Sequence, residues 1–284
     1  METLFEQRIQ KLSRPLEPLP AEQTPVLTPM TGIRAVIFDI YGTCVISGSG
    51  DIGLSAAERK SSALSEALRE QGVDMDAELA EPAMARFYEL IHHRHAELKG
   101  QGIAYPEVRI LDIWEHWRRE AGVQINVPQL AIDVECRLNP VWPMPGLIHT
   151  LEQIQARELS LGIVSNAQVF TPSIFPALTG HPLADLGFPA RHAVWSWQLQ
   201  EAKPSVRLYH EVLERLKLPA TACLYVGNDM RNDIAPAAAV GMRTALFAGD
   251  ARSLRLREGD PLVGDTRPDL VLTALTQLPP CLSG

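Results

Sequence analysis

The chain has 284 residues, of which 46% are hydrophobic and 21% are charged. This composition is typical of a globular protein with a sizeable core, in one large or two modest domains. Its 26 Lys and Arg residues against 34 Asp and Glu residues give a formal net charge of −8. Such a surface repels nucleic acid and anionic membranes, so we expect neither as a partner. A small anionic substrate is compatible with it, because local basic side chains and helix N-termini can bind an anion against the net charge.

Features that direct a chain to a membrane or out of the cell are not apparent in the sequence. No stretch approaches the roughly 20 apolar residues that span a bilayer. The N-terminal residues contain no uninterrupted apolar segment of the kind found in secretory signals. The four cysteines form no metal-binding spacing and are expected to be reduced thiols. We therefore expect a cytoplasmic protein.

The chain begins with a segment that differs from the rest. Residues 1–30 combine a short helical pattern with a proline-rich tract, and we expect them to form an arm on the surface. The first strand follows at residues 35–38, a continuous apolar run typical of a strand buried on both faces of a parallel sheet. It ends at Asp39. The glycine-rich residues 47–51 that follow are either a plain linker or a hinge.

Residues 44–141 show repeated helical periodicity and no convincing strand, which predicts an all-helical insert. Strands and helices then alternate, which predicts an α/β fold with a doubly wound parallel sheet and right-handed crossovers. The predicted domains are an arm (1–30), an α/β core (31–43 with 142–284) and the helical insert (44–141). The predicted core elements after the insert are helix 147–157, strand 159–164, strand 193–196, helix 204–216, strand 223–226, helix 232–240, strand 243–247 and strand 270–272.

Polar residues follow four of the predicted strands at their carboxyl ends, where ligands bind in open parallel sheets. They are Asp39 with Gly42 and Thr43, Ser165 with Asn166, Lys203, and Asp229 with Asp233. A lysine beside a carboxylate keeps the carboxylate ionised and can neutralise a bound anion. The last two carboxylates are hard oxygen ligands suited to Mg²⁺. The set predicts nucleophilic catalysis by a carboxylate with electrostatic stabilisation of the reacting group.

Four segments resemble the motifs of the haloacid dehalogenase (HAD) superfamily, in the same order along the chain. They are FDIYGT (38–43), IVSN (163–166), AKP (202–204) and VGNDMRND (226–233). The helical insert lies where members of that superfamily carry a type C1 cap. The resemblance covers about residues 28–284 and implies a Rossmann-like core with a helical cap domain, in which Asp39 is a covalent nucleophile.

The resemblance also implies roles for the other residues of these motifs. The expected catalytic residues are Asp39, Ser165 and Lys203. The expected substrate contacts are Tyr41, Gly42, Thr43 and Asn166. The expected Mg²⁺ ligands are Asp39, the backbone carbonyl of Tyr41, and Asp229 or Asp233.

Tyr41 departs from the pattern of most phosphatases in the superfamily, which carry an aspartate there as the general acid for the leaving group. A tyrosine, with an ordinary pKa of about 10, is a much poorer acid near pH 7. The 2-haloacid dehalogenases of the superfamily also carry a tyrosine in this motif, and a departing halide needs no proton. Asp229 and Asp233 point the other way, because those dehalogenases use no metal. Asn228 holds the usual acidic place, one residue before Asp229.

Three functions follow from this conflict. The first is a Mg²⁺-dependent, phosphatase-type hydrolase that acts on a small phosphorylated metabolite through an aspartyl-phosphate. The second is a 2-haloacid dehalogenase-type hydrolase, in which Asp39 displaces halide and forms an ester. The third is a non-catalytic binding or regulatory protein that keeps the fold.

Overall fold

The computed structural model describes residues 1–48 and 56–282. Its strands are β1 (Ala35–Phe38), β2 (Val45–Ser47), β3 (Val141–Pro143), β4 (Ser160–Ser165), β5 (Ala193–Trp195), β6 (Cys223–Gly227), β7 (Arg243–Phe247) and β8 (Leu270–Leu272). Six of them form one parallel sheet in the order β5-β4-β1-β6-β7-β8. The first strand therefore lies in the middle of the sheet, and the residue after it has neighbours on both sides.

Helices cover both faces of this sheet. The helices are α1 (Glu2–Leu12), α2 (Ala56–Arg69), α3 (Ala77–Gly100), α4 (Ile110–Ala121), α5 (Val127–Leu138), α6 (Leu147–Gln155), α7 (Ile174–Thr179), α8 (Ser196–Leu199), α9 (Arg207–Leu216), α10 (Ala235–Ala239) and α11 (Leu278–Cys281). Side chains of β1 alternate between the two faces: Ile37 packs in the cluster that contains α9, and Phe38 packs in the cluster that contains α6 and α11. The predicted doubly wound parallel sheet is thereby confirmed.

The predicted all-helical insert is also present, as helices α2 to α5. The chain enters it through β2 and leaves it through β3, and these two short strands pair antiparallel. Its core is aromatic: the rings of Phe87 and Trp114 stack at 3.8 Å, and Trp117 meets Trp114 edge-on. The predicted hinge at 47–51 falls largely outside the described residues. Within the described ranges, no helix is both long and apolar enough to cross a membrane.

Several predicted boundaries move by a few residues in the structure, and two of these shifts lie near the site. The strand expected at 159–164 runs one residue further, so Ser165 closes β4 instead of following it. The helix expected at 232–240 begins as a π-helical turn at Met230–Ile234 and becomes α-helical only at Ala235. The cause lies at the start of this turn, where the Asp229 carboxylate accepts the backbone N–H groups of Arg231 and Asn232.

The N-terminal segment is more than a surface arm, because α1 is buried on one face between the cap and the core. Phe5 and Ile9 are fully buried, and the ring of Phe5 meets that of Phe170, in the core, edge-on at 6.0 Å. On the cap side, Arg8 donates two hydrogen bonds to the fully buried Asp133 of α5, at 2.6 and 2.7 Å. One helix thus contacts both parts of the molecule.

Breaking this ion pair is expected to destabilise the protein. In Arg8→Met, the Asp133 carboxylate remains buried without its partner, which costs about 3 kcal/mol of unfolding free energy. The measurement is urea-induced unfolding at neutral pH. The matched control is Arg86→Met, which removes exposed ion pairs with Glu89 and Glu120 and is expected to cost much less unfolding free energy than Arg8→Met. Equal losses in the two variants would contradict the structural role of α1.

Candidate active site

Asp39 lies at the centre of the site, directly after β1. Its backbone N–H donates to the carbonyl oxygen of Val226, which continues the pairing of β1 with β6 by one residue. The residue is only 6% exposed. A buried carboxylate requires a partner for its charge, and here the partner is Lys203, whose Nζ lies 2.8 Å from Asp39 Oδ1.

Lys203 contacts a second carboxylate at the same time. Its Nζ lies 2.5 Å from Asp233 Oδ1, and all three side chains are buried. Burial acts to lower the pKa of Lys203, but the two carboxylates outweigh it and raise that pKa. Burial raises the pKa of Asp233, against the opposing effect of Lys203. One lysine therefore balances two carboxylates in a site from which water is largely excluded.

Asn166 positions Lys203 through the backbone. Its Oδ1 accepts the backbone N–H of Lys203 at 2.7 Å, and its Nδ2 donates to the backbone carbonyl of Lys203 at 3.3 Å. Both polar atoms of the Asn166 side chain are thus engaged with the chain. The geometry gives Asn166 a positioning role, whereas the sequence predicted a substrate contact.

Gly42 and Thr43 form the turn that follows Asp39. Gly42 has a φ of +81°, and a Cβ at this position would lie 2.5 Å from the Cβ of Ser253, so only glycine fits. Thr43 is fully buried, and its hydroxyl donates to Asn228 Oδ1 at 3.1 Å. This hydrogen bond ties the turn after β1 to the loop after β6.

Ser165 is fully buried at the end of β4, on the strand next to β1. Its hydroxyl has no hydrogen-bond partner among the described residues. An unpaired buried hydroxyl is costly, and a bound substrate oxygen would satisfy it. The structure therefore leaves Ser165 available for the predicted contact with the reacting group.

Tyr41 is engaged at the seam between the cap and the core. Its hydroxyl forms a hydrogen bond of 2.9 Å with the hydroxyl of Thr171. Its ring helps to line a small space together with Ile9 of α1 and Glu135 of α5. Burial, with a smaller effect of the Glu135 charge, raises the pKa of Tyr41 far above its usual range. Tyr41 is therefore an even weaker acid here than in water.

Asp229 is fully occupied by other partners. Arg257 donates to both of its oxygens, with the shortest contact at 2.7 Å, and backbone N–H groups of the following turn donate to Oδ1. Burial acts to raise the pKa of Asp229, but these hydrogen bonds outweigh it and lower that pKa. The geometry argues against the predicted role of Asp229 as a metal ligand, because both of its oxygens already accept several hydrogen bonds.

The oxygen atoms around Asp39 also fit Mg²⁺ poorly. Asp233 uses Oδ1 for Lys203 and Oδ2 for the backbone N–H of Asp229. Asn228, which directly follows β6, holds the place that is usually acidic in the motif, and its side chain is a neutral amide. The described residues contain no group of three or more His, Cys, Asp or Glu side chains that could hold a metal ion. Mg²⁺ prefers carboxylate oxygens in a near-ideal octahedron, and the structure offers only Asp39 as a carboxylate with an uncommitted oxygen.

A loop of the cap is fastened to the core beside this site. Glu107, between α3 and α4, accepts hydrogen bonds from the hydroxyl of Ser196 at 2.9 Å and from the amide of Gln168 at 3.2 Å. Its backbone N–H donates to Gln200, three residues before Lys203. Burial raises the pKa of Glu107, against the effect of the Ser196 hydroxyl. A buried carboxylate of the cap thus contacts the loops that carry Asn166 and Lys203.

Several of these residues were not identified from the sequence. Tyr225, Glu107 and Arg257 each contact a predicted site residue or its loop. Tyr225 is one aromatic in an apolar strand, and Glu107 and Arg257 lie in segments without a motif. For these three residues the sequence offers one signal, the hydroxyl group within the apolar run CLYVG, and that signal points to Tyr225.

Comparison with known proteins places the chain among hydrolases. The model of a family described as haloacid dehalogenase-like hydrolase matches residues 33–241. No curated protein is significantly similar in sequence.

Solved structures share the fold at low sequence identity. A 2-haloacid dehalogenase from Pseudomonas syringae pv. Tomato DC3000 is 23% identical, with a TM-score of 0.54; the match covers 88% of this chain and 97% of that one. A HAD phosphatase from Thermococcus onnurineus is 20% identical, with a TM-score of 0.51; the match covers 87% of this chain and 96% of that one. The predicted fold is confirmed, while proteins with two different activities share it.

The buried Glu107 carboxyl predicts a specific pH dependence of stability. Because its pKa is raised in the folded state, the folded protein binds this proton more tightly than the unfolded chain, and stability is lost as pH rises through the raised pKa. Glu107→Gln cannot ionise. The unfolding free energy of the variant minus that of the wild type should therefore increase from pH 4 to pH 7.5, measured by urea unfolding. The exposed Glu81→Gln serves as the control, and a difference for Glu107→Gln that does not change with pH would contradict the assignment.

Proposed function

We propose that this chain, which belongs to the haloacid dehalogenase-like hydrolases, displaces halide from a small 2-haloacid without a metal ion. The observation that carries the proposal is the arrangement at Asp39. The ammonium group of Lys203 forms ion pairs with the carboxylates of both Asp39 and Asp233. The substrate is a small organic anion, as expected from the sequence. The argument has two parts, the charge of the substrate and the chemistry of its leaving group.

The charge of the site favours a singly charged substrate. Two buried carboxylates already face one lysine. A phosphate ester adds up to two further negative charges, and repulsion in a site of low dielectric constant is strong without a metal ion. A 2-haloacid adds one negative charge on its carboxylate, and the carbon that Asp39 attacks is uncharged. Lys203 then balances the charge of Asp39, and the unpaired hydroxyl of Ser165 is available as a hydrogen-bond donor for the substrate.

The leaving group supports the same conclusion. An alkoxide needs a proton as it departs, and Tyr41, which holds the place of the general acid, is bound to Thr171 and has a strongly raised pKa. A halide ion is stable in water and departs without a proton. The absence of a competent acid at Tyr41 is therefore a defect for the attack of Asp39 on a phosphate ester, which expels an alkoxide, and of no consequence for its attack on a carbon that bears a halogen.

The reaction proceeds in two steps. An oxygen of the Asp39 carboxylate attacks the carbon that bears the halogen, the carbon–halogen bond breaks, and the bonding electron pair leaves with the halide. A water molecule then attacks the carbonyl carbon of the new ester and cleaves the acyl–oxygen bond. Its oxygen remains on Asp39, one of its two protons goes to the departing oxygen of the 2-hydroxy acid, and the other proton passes to solvent. Lys203 stabilises the negative charge on Asp39 before the attack and after the hydrolysis.

A Mg²⁺-dependent phosphatase acting on a small phosphorylated metabolite is the second candidate function. It is favoured by Asn228, whose amide oxygen accepts a hydrogen bond from the hydroxyl of Thr43 in the turn after Asp39. Asn228 and Asp39 would hold the ion, and Mg²⁺ would then neutralise the phosphate. This candidate requires Asp233 to exchange a present hydrogen bond for a place near the metal.

Product release distinguishes the two candidates. We expect halide release from 2-chloropropionate at neutral pH that is unchanged by EDTA or by added Mg²⁺, measured by ion chromatography. Under the same conditions, acetyl phosphate and p-nitrophenyl phosphate should release no phosphate above the background. Phosphate release that depends on Mg²⁺, with no halide release, would overturn the proposal in favour of the second candidate.

Replacement of the nucleophile provides the test that both candidates share. Asp39→Asn removes the attacking carboxylate and should lower turnover by at least about a thousandfold, while the far-UV circular dichroism stays that of the wild type. In the halide-displacement reaction, where water attacks the carbonyl carbon of the Asp39 ester, a single turnover of the wild-type enzyme in H₂¹⁸O should place ¹⁸O in the peptide that contains Asp39, detected by mass spectrometry. Activity of the variant near that of the wild type would show that another group attacks.

A further inference from the structure

Tyr225 reaches the active site from inside the sheet. It lies on β6, the neighbour of β1, and both the residue and its hydroxyl are fully buried. The hydroxyl donates to the backbone carbonyl of Val164 at 2.9 Å, lies 3.1 Å from Asp233 Oδ1, and accepts from Lys203 Nζ at 3.3 Å. A single hydroxyl thus joins β4, the catalytic lysine and the second carboxylate.

The geometry accounts for every N–H bond of the lysine. An ammonium group has three N–H donors and no acceptor. In the structure it has three acceptors: Asp39 Oδ1 at 2.8 Å, Asp233 Oδ1 at 2.5 Å and the Tyr225 hydroxyl at 3.3 Å. Because each acceptor lies on a different segment of the core, rotation of the ammonium group would break at least one of these hydrogen bonds. The orientation of Lys203 is therefore fixed before a substrate binds.

The hydroxyl of Tyr225 is itself oriented. It has one proton, and its shortest contact is to the carbonyl oxygen of Val164, which directs an oxygen lone pair to Lys203. The ring is held by Tyr209, whose centroid lies 5.0 Å away in an edge-on contact. The Tyr209 hydroxyl donates to the backbone carbonyl of Asn232 at 2.6 Å. The two aromatic rings thus form a rigid support beneath the lysine.

We propose that Tyr225 is a positioning residue for the reaction: its hydroxyl is the third acceptor of the Lys203 ammonium group and holds that group against Asp39. The proposal deepens the metal-independent function, on which it rests, because without a metal the position of the nucleophile depends on Lys203 alone. Tyr225 does not contact the reacting atoms. Its effect is on the orientation of the attacking carboxylate and so on the chemical step, with little effect on substrate binding.

The test is Tyr225→Phe, which removes the hydroxyl and keeps the ring that packs against Tyr209. We expect kcat for the substrate that the wild type turns over to fall about ten- to a hundredfold, the range for one lost hydrogen bond to a buried charged group. KM should stay within about twofold of the wild-type value. The matched control is Tyr88→Phe in the cap, where the ring packs on Phe87 and Lys60, and its kcat should be unchanged. An unchanged kcat in Tyr225→Phe, or a rise in KM that explains the whole effect, would overturn the proposal.

A second measurement needs no activity, and its main readout is on the wild-type protein. An ammonium group with three hydrogen bonds exchanges its protons slowly, so the wild-type protein should show a ¹⁵N-ammonium resonance of Lys203 at neutral pH and 10 °C, assigned by its loss in Lys203→Met. The resonance should broaden beyond detection in Tyr225→Phe. A wild-type protein without a slowly exchanging lysine resonance would refute the three-acceptor arrangement. Because this readout involves no substrate, it distinguishes a failure of this proposal from a failure of the halide-displacement proposal.

Discussion

The contact between Lys203 and two buried carboxylates is the constraint on which the site depends. Asp39 and Asp233 come from segments that follow different strands, and their like charges would repel each other without the ammonium group between them. Removal of Lys203 would leave the two carboxylates without a counter-charge in a medium of low dielectric constant, and removal of the carboxylates would leave the lysine without one. The sheet order β5-β4-β1-β6 brings the three segments to one edge of the sheet, because Lys203 follows β5, Asp39 follows β1 and Asp233 follows β6. The electrostatics of the site therefore depend on the fold.

The residues around this centre fall into two groups, those with polar atoms free for a ligand and those whose polar atoms form hydrogen bonds within the protein. The hydroxyl of Ser165 has no hydrogen-bond partner among the described residues and is free for a ligand, whereas Asn166 and Thr43 use their polar atoms on the protein itself. Such a division is expected of a site with fixed geometry, because each reacting group requires partners that limit its rotation. The same logic applies to Asp229, whose salt bridge with Arg257 stabilises the loop after β6.

Much of the fold and the centre of the site could be predicted from the sequence, for physical reasons. A buried parallel strand has an apolar run and a polar residue at its end, so β1 and Asp39 were identified together. The helical insert was visible from its periodicity. The partners of Asp229 could not be predicted, because Arg257 lies 28 residues away in a segment without regular structure. The positioning role of Tyr225 was equally hidden, since a tyrosine in an apolar strand has the same pattern whether or not its hydroxyl meets a lysine.

The position of α1 has a consequence for how the substrate enters. The cap is covalently joined to the core by two chain segments, β2 and β3, and α1 adds a third, non-covalent link through Arg8 to α5 and Phe5 to Phe170. The contacts of Glu107 with Ser196 and Gln168 add a fourth link. A swing of the cap about β2 and β3 then requires α1 to release either the cap or the core, and Glu107 to release Ser196 and Gln168.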